Sequence, residues 1–262
     1  MMKIKAAGAR HLLPMVLTVA MAASSHADMP NYAATPPAAA DPDQDRTDCD
    51  QKDHAYVAFL ACTRLLRAPD MTADQKLRIT ERRAQAALVL FYFSDAAEDF
   101  TYVLAAEPDN VEARQGRAQA LSEDSQFVEA ADDWGVLAAK RPDDVAARVH
   151  QGKNLYAAGL YDKAAAAYQE AVAIDSNNAV ALVGLARAFD MLQQHDKADE
   201  SIAAALKLNP QNTAALMARG EMAERRGDKQ LAIESYVLSL KANGMQIKPR
   251  QALQRLGIET PP

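Results

Sequence analysis

"VAARVHQGKNLYAAGLYDKAAAAYQEAVAIDSNN", residues 145–178, is the stretch whose reading decides the fold. Moved by 34 residues in either direction it meets a relative of itself, and the chain divides without a gap into blocks 77–110, 111–144, 145–178, 179–212 and 213–246. Position 20 of every block is alanine: Ala96, Ala130, Ala164, Ala198 and Ala232. Position 8 is small (Ala84, Ala118, Gly152, Ala186, Gly220) and position 24 is large (Phe100, Trp134, Tyr168, Ile202, Tyr236). Position 27 runs Val103, Leu137, Ala171, Ala205, Ser239, and position 32 runs Pro108, Pro142, Ser176, Pro210, Gly244.

Each position has a physical reading. A block predicts two antiparallel helices, over positions 2 to 14 and 18 to 30. Small residues at positions 8 and 20 let the two backbones approach where the helices cross, and the large residue at 24 fills the space toward the next block. Proline at 32 has no N–H to donate and ends the second helix. The Asn and Asp residues after it favour a chain reversal. A single block cannot bury its own apolar face, so the blocks must stack into one core. The composition agrees: 49% hydrophobic, only 6% aromatic and rich in alanine, it favours closely packed helices.

This pattern resembles the tetratricopeptide repeat, whose period is 34 residues. The resemblance implies an all-α fold: a right-handed α-α superhelical solenoid of five helix-turn-helix repeats over 77–246, with capping helices at both ends. It also implies that positions 2, 5, 9, 12 and 13 of the first helices face a concave groove that receives a partner. In the middle of that groove Val149, Tyr156, Val183, Met191 and Met217 form an apolar strip, and Lys153 and Arg187 share position 9 of adjacent repeats. The two cations are expected about 10 Å apart, one helix spacing. Such a surface suits an extended peptide with an apolar anchor and an acidic group. The alternative is an Arg187–Asp190 pair one turn apart on ordinary surface. Some members of the family grip a C-terminal carboxylate with a fixed Lys, Asn and Arg set. The matching positions here are mostly Glu, Gln or Val, so that activity does not carry over.

Position 7 departs from the family's usual leucine: Arg83, Arg117, Gln151, Leu185, Arg219. Position 23 is Asp99, Asp133, Ala167, Ser201, Ser235, so an acid stands at 23 only where arginine stands at 7. Arg83–Asp99 and Arg117–Asp133 are either buried pairs joining the helices of a repeat or coincidences on a solvated face.

The ends read differently. Residues 1–27 carry Lys3, Lys5 and Arg10, then an apolar run "LLPMVLTVAMA", then small residues before position 28. This is the layout of a secretory signal peptide cleaved after Ala27, the alternative being retention as an anchor. Cleavage would take the formal charge from −6 to −9, since three basic and no acidic residues leave. Residues 28–48, rich in Pro, Ala and Asp, are expected to be a disordered leader. In "AYVAFLACTRLL", Ala58, Cys62 and Leu65 fit positions 20, 24 and 27 of a second helix. The residues before it are too polar for a matching first helix, so residues 49–76 are expected to open the solenoid with an unpaired capping helix. A capping box at Thr72 and Gln75 then starts the first repeat. At the other end, 247–262 supplies a final helix in which Leu253 and Leu256 cover the last repeat.

Both cysteines lie in the N-terminal cap, as Cys49-x12-Cys62 beside His54. Zinc sites favour paired C-x2-C spacings and redox sites C-x-x-C, and neither occurs. In an oxidising compartment the pair reads most simply as a disulfide. A straight helix would hold the sulfurs roughly 20 Å apart, so residues 49–53 must fold back along the helix that starts near His54.

No phosphate-binding glycine loop, nucleophile elbow or HExxH motif occurs, and His54, His150 and His195 are isolated in sequence. No enzyme, no cofactor and no metal is expected. The acidic balance argues against nucleic acid and against anionic lipid. The sequence therefore predicts a periplasmic or secreted, non-catalytic adaptor for a peptide or protein partner. Alternatives are a holdase-like chaperone for exported chains and an accessory subunit of a polysaccharide export complex. The oligomeric state is not encoded in any readable feature.

Overall fold

The computed structural model describes residues 41–259, so the expected signal peptide 1–27 and most of the leader lie outside the described residues. The described residues form thirteen helices and no strand. None of these helices is long and apolar enough to cross a membrane.

The 34-residue period governs where helices begin. First helices α5 (Val111–Glu123), α7 (Val145–Ala157), α9 (Ala179–Met191) and α11 (Thr213–Arg225) start 34 residues apart. So do second helices α4 (Phe93–Ala106), α6 (Phe127–Lys140), α8 (Tyr161–Ile174), α10 (His195–Leu208) and α12 (Lys229–Ala242). Helix α3 (Ala73–Val89) is longer, because it begins one turn ahead of the register at the Thr72–Gln75 capping box. The residue closing each block starts the next helix: Asn110, Asp144, Asn178 and Asn212 accept a hydrogen bond from the backbone N–H three residues on. Between the two helices of every repeat one residue is left-handed: Phe91, Ser125, Gly159, Gln193 and Gly227, with φ between 59° and 81°.

Packing follows the same period. All five alanines at position 20 have no exposed surface, so no larger side chain fits there. The ring at position 24 lies between two repeats. The Tyr168 ring fills the space beside Gly152 of its own repeat and Gly184 of the next, and Phe100 fills the space beside Gly116. Buried clusters therefore succeed one another along the solenoid, from Leu77 and Phe100 through Trp134 and Tyr168 to Tyr236 and Leu253.

The Arg–Asp pairs are real. Arg83 donates from Nε and Nη2 to Asp99 at 2.8 and 2.6 Å, and Arg117 does the same to Asp133 at 2.7 and 2.7 Å. Arg114 adds a third bond to Asp133 at 3.0 Å. Both aspartates are buried, so these bidentate pairs tie the helices of a repeat together. In the fifth repeat, where serine replaces the acid, Arg219 donates to Ser235 Oγ at 2.8 Å. Removing the acid alone leaves half-buried guanidiniums, Arg117 and Arg114, without their partner. Asp133→Ala is expected to lower stability by about 3 kcal/mol, and Asp133→Ala/Arg117→Leu to recover part of that in urea denaturation. No recovery would mean that the pair carries no coupling.

The N-terminal end corrects two expectations. Residues 42–48 are not disordered: Pro42–Cys49 is helix α1, capped by Asp41. Nor is α2 (Ala55–Leu65) unpaired, since α1 packs antiparallel against it. Its polar sequence hid this partner because it is held by other means than an apolar face. The inward residues are Asp45 and Cys49, one turn apart. Asp45 accepts from Arg64 Nε at 2.9 Å, and Cys49 is disulfide-bonded to Cys62, Cα to Cα 4.9 Å. The chain does reverse between the cysteines, but as a loop joining two helices. A closed loop this short contributes about 3 kcal/mol in the chain-entropy picture. At the other end α13 (Ile247–Arg255) starts 34 residues after α11, in the register of a first helix. Leu253 is fully buried and Leu256 packs beside it.

Candidate functional site

A concavity of about 370 Å³ opens across repeats three to five. Helix α7 brings Val149, Lys153 and Tyr156 to it, α8 brings Tyr168, and α9 brings Val180, Val183, Gly184 and Arg187. Five of the seven residues expected to form the groove surface are thus together. The i, i+4, i+7 spacing of 149, 153 and 156 puts the α7 trio on one helix face.

The two methionines are not among the lining residues. Met217 is 9% exposed and belongs to the C-terminal core with Tyr236 and Leu253, so it is packing and not contact surface. Met191 is half-buried. Val183 is itself 6% exposed, offering the pocket only an edge.

The charges also differ from expectation. Arg187 does not project freely, nor does it pair with Asp190. Its Nη2 donates to Glu221 of the next repeat at 3.0 Å, while its buried Nε has no hydrogen-bond partner. Lys153 is exposed and has neither hydrogen bond nor ion pair among the described residues. Asp190 is instead buried under Arg225 and Arg226: Arg225 donates from Nε and Nη2 at 2.9 and 2.6 Å, Arg226 from Nε at 2.8 Å. Burial by itself would raise this carboxyl, but the hydrogen bonds from Arg225 and Arg226 prevail and hold it below the usual carboxylate range. This network fastens repeat four to repeat five at the rim of the groove.

Tyr168 was legible in the sequence only as a spacer between repeats. In the structure it is 5% exposed, its phenol end lies beside Gly184, and it lines the pocket. Burial pushes its hydroxyl up, against the opposing charge of Arg187. Tyr156 is shifted the same way by burial, with Arg225 and Arg187 opposing, and its ring meets Tyr161 edge-on at 5.2 Å. Toward the N-terminus the groove satisfies its own charge: Arg78 is shared between Glu107 at 3.2 Å and Glu81 at 3.8 Å. Among the described residues no cluster of His, Cys, Asp or Glu could hold a metal ion.

Two stretches, residues 82–136 and 155–222, match the tetratricopeptide repeat family. No curated protein matches in sequence. Among solved structures, MamA from Desulfovibrio magneticus RS-1 is 21% identical, with 66% of this chain and 97% of that one covered at a TM-score of 0.57. A thermophilic TPR protein of Thermus thermophilus is 17% identical, covering 69% and 98% at a TM-score of 0.54. A further MamA structure is 18% identical, covering 72% and 100% at 0.55. At these identities the likeness is one of fold.

Proposed function

We propose that this chain, a tetratricopeptide-repeat protein, is a non-catalytic scaffold that holds a peptide or protein segment on its concave face. The observation that carries the reading is the mid-groove concavity, where apolar Val149, Val180 and Tyr156 surround a lysine that no described residue neutralises. Apolar walls with a few convergent polar groups are the usual form of a recognition site. The scaffold works in the periplasm or outside the cell, delivered by a signal peptide cleaved after Ala27. The Cys49–Cys62 disulfide supports an oxidising destination.

Crosslinking in cells tests both parts. The processed protein should be recovered from the periplasmic fraction with one dominant partner. Lys153→Glu/Arg187→Glu should reduce its capture by about tenfold, the effect of losing one well-placed charged contact. Unchanged capture would exclude this part of the groove. A broad set of unfolded clients would instead identify a holdase.

A further inference from the structure

The turn inside each repeat needs one left-handed residue, and four repeats fill that place with Ser125, Gly159, Gln193 or Gly227. The first repeat fills it with Phe91, at a φ of 61°. A bulky side chain is costly in this conformation, which glycine or asparagine adopts easily. Folding gives little in return: Phe91 is 74% exposed, and its ring meets Phe93 edge-on at 5.9 Å. Strain kept at an exposed position points to a use outside the fold.

Phe91 has apolar neighbours. Val89, 63% exposed, ends α3 two residues earlier. It shares a concavity with Ala55 and Ala58 of α2, and the Tyr92 ring meets Phe59 of α2 edge-on at 5.3 Å. The start of α2 is thereby held against the turn, and Val57 is exposed there as well. These residues form an apolar row on the edge where the hairpins turn. None of them lines the concavity of repeats three to five.

The charges beside the row decide what can cover it. Asp53 precedes α2 by two residues, as Phe91 precedes α4. On the other side Glu123 stands one period after Val89, with Asp124 next to it. Asp53, Asp95, Glu123 and Asp124 are all exposed, against the single cation Lys52 in these turns. Arg82, which shares the concavity of Val89, is paired with Asp50. Two copies of this edge set face to face would oppose acid to acid, and an anionic bilayer would be repelled. A helix whose apolar stripe is flanked by lysine or arginine is the complement.

We infer that this edge, centred on Phe91 with Val57 and Val89, docks the apolar stripe of a basic amphipathic helix in a partner protein. Phe91 is the aromatic anchor, and the acids on either side receive the cations that flank the stripe. The surface is separate from the groove, so either can fail without the other.

The test uses the full chain and two acetylated peptide amides patterned as amphipathic helices. One is Lys-Ala-Leu-Lys-Lys-Leu-Ala-Lys-Ala-Leu-Lys-Lys-Leu-Ala, and the other carries Glu in place of every Lys. NMR titration follows the methyl groups of Val57 and Val89, with Val149 and Val183 reporting on the groove. The lysine peptide should shift Val57 and Val89 and bind about tenfold more tightly than the Glu peptide. Phe91→Asn should weaken it about tenfold, the effect of losing a central aromatic contact. The same variant leaves every charge in place and should keep or raise the melting temperature, because asparagine suits the left-handed turn. Asp53→Lys/Glu123→Lys should weaken binding too, most at low salt. Shifts confined to Val149 and Val183, or no shift at millimolar peptide, would overturn the site. Equal binding of the Glu peptide would overturn the basic partner. A Phe91→Asn variant that melts earlier would make Phe91 a packing residue and overturn its role as anchor. Two other occupants have their own signatures, each in wild-type chain and lost in Phe91→Asn. Binding to phosphatidylcholine vesicles would assign the edge to a lipid surface, and a dimer in sedimentation would assign it to a second copy. Either result would overturn the partner helix.

Discussion

A valine at Gly184 is expected to lower the unfolding free energy by about 3 kcal/mol, at the high end for adding bulk to a packed core. A Cβ at this position would lie 2.4 Å from Tyr168 Cζ and 2.5 Å from Cε1, far inside van der Waals contact. The ring has no retreat. On its other side a Cβ at Gly152 would stand 2.9 Å from the same ring, which shows how little room remains there. Glycine in a helix ordinarily costs up to about 1 kcal/mol relative to alanine, so replacing it should help if propensity decided the outcome. The predicted sign is the reverse because contact distances decide it. Chemical denaturation followed by circular dichroism measures the loss. Gly184→Val/Tyr168→Leu should recover a large part, since the clash lies between these two positions. A single variant as stable as the parent would mean that repeats three and four are not wedged by the ring. The loss should also disturb the pocket, because Gly184 and Tyr168 both line it.

Asp190→Ala should be of similar size, about 3 kcal/mol, for a different reason. Asp190 is 2% exposed and receives Arg225 and Arg226. Removing one partner of a buried ion network costs about 3–5 kcal/mol, because charges are left without compensation. The lower end applies here, since Arg225 is 42% exposed and can turn to water, while Arg226 keeps Asp199 at 2.8 Å. The pH dependence has a definite sign. With its folded-state pKa lowered, Asp190 contributes full stability above its unfolded value of about 4. That contribution fades as pH falls through the lowered folded value, where the carboxylate is protonated in both states. The deficit of the alanine variant should therefore be constant from neutral pH down to about 5 and shrink in stronger acid. A deficit that grows on acidification would show that the network is not what Asp190 supplies.

The repeat and its pairs were readable because they recur. Helix starts at 34-residue intervals, fully buried alanines at position 20 and Arg–Asp pairing between positions 7 and 23 all follow from features that the sequence repeats in phase. What escaped reading does not recur. Helix α1 is held by Asp45, Arg64 and a disulfide, so it lacks the apolar face by which helices are found. Met217 occupies a position expected to face the groove, yet it is buried because the cap from α13 closes over that end of the solenoid.

The groove shows the same division. Sequence alone determined that this chain is a stack of helical hairpins, because an amphipathic unit repeated in register has one way to bury its faces. It also determined which residues share a helix face, since that depends only on spacing along one element. Which charges remain available was settled in the tertiary structure. Arg187 reaches Glu221, 34 residues away, in preference to Asp190 one turn away, and Asp190 is taken by arginines 35 and 36 residues on. Side chains choose partners through space, across the interface between repeats. That choice left Lys153 open at the centre of the groove.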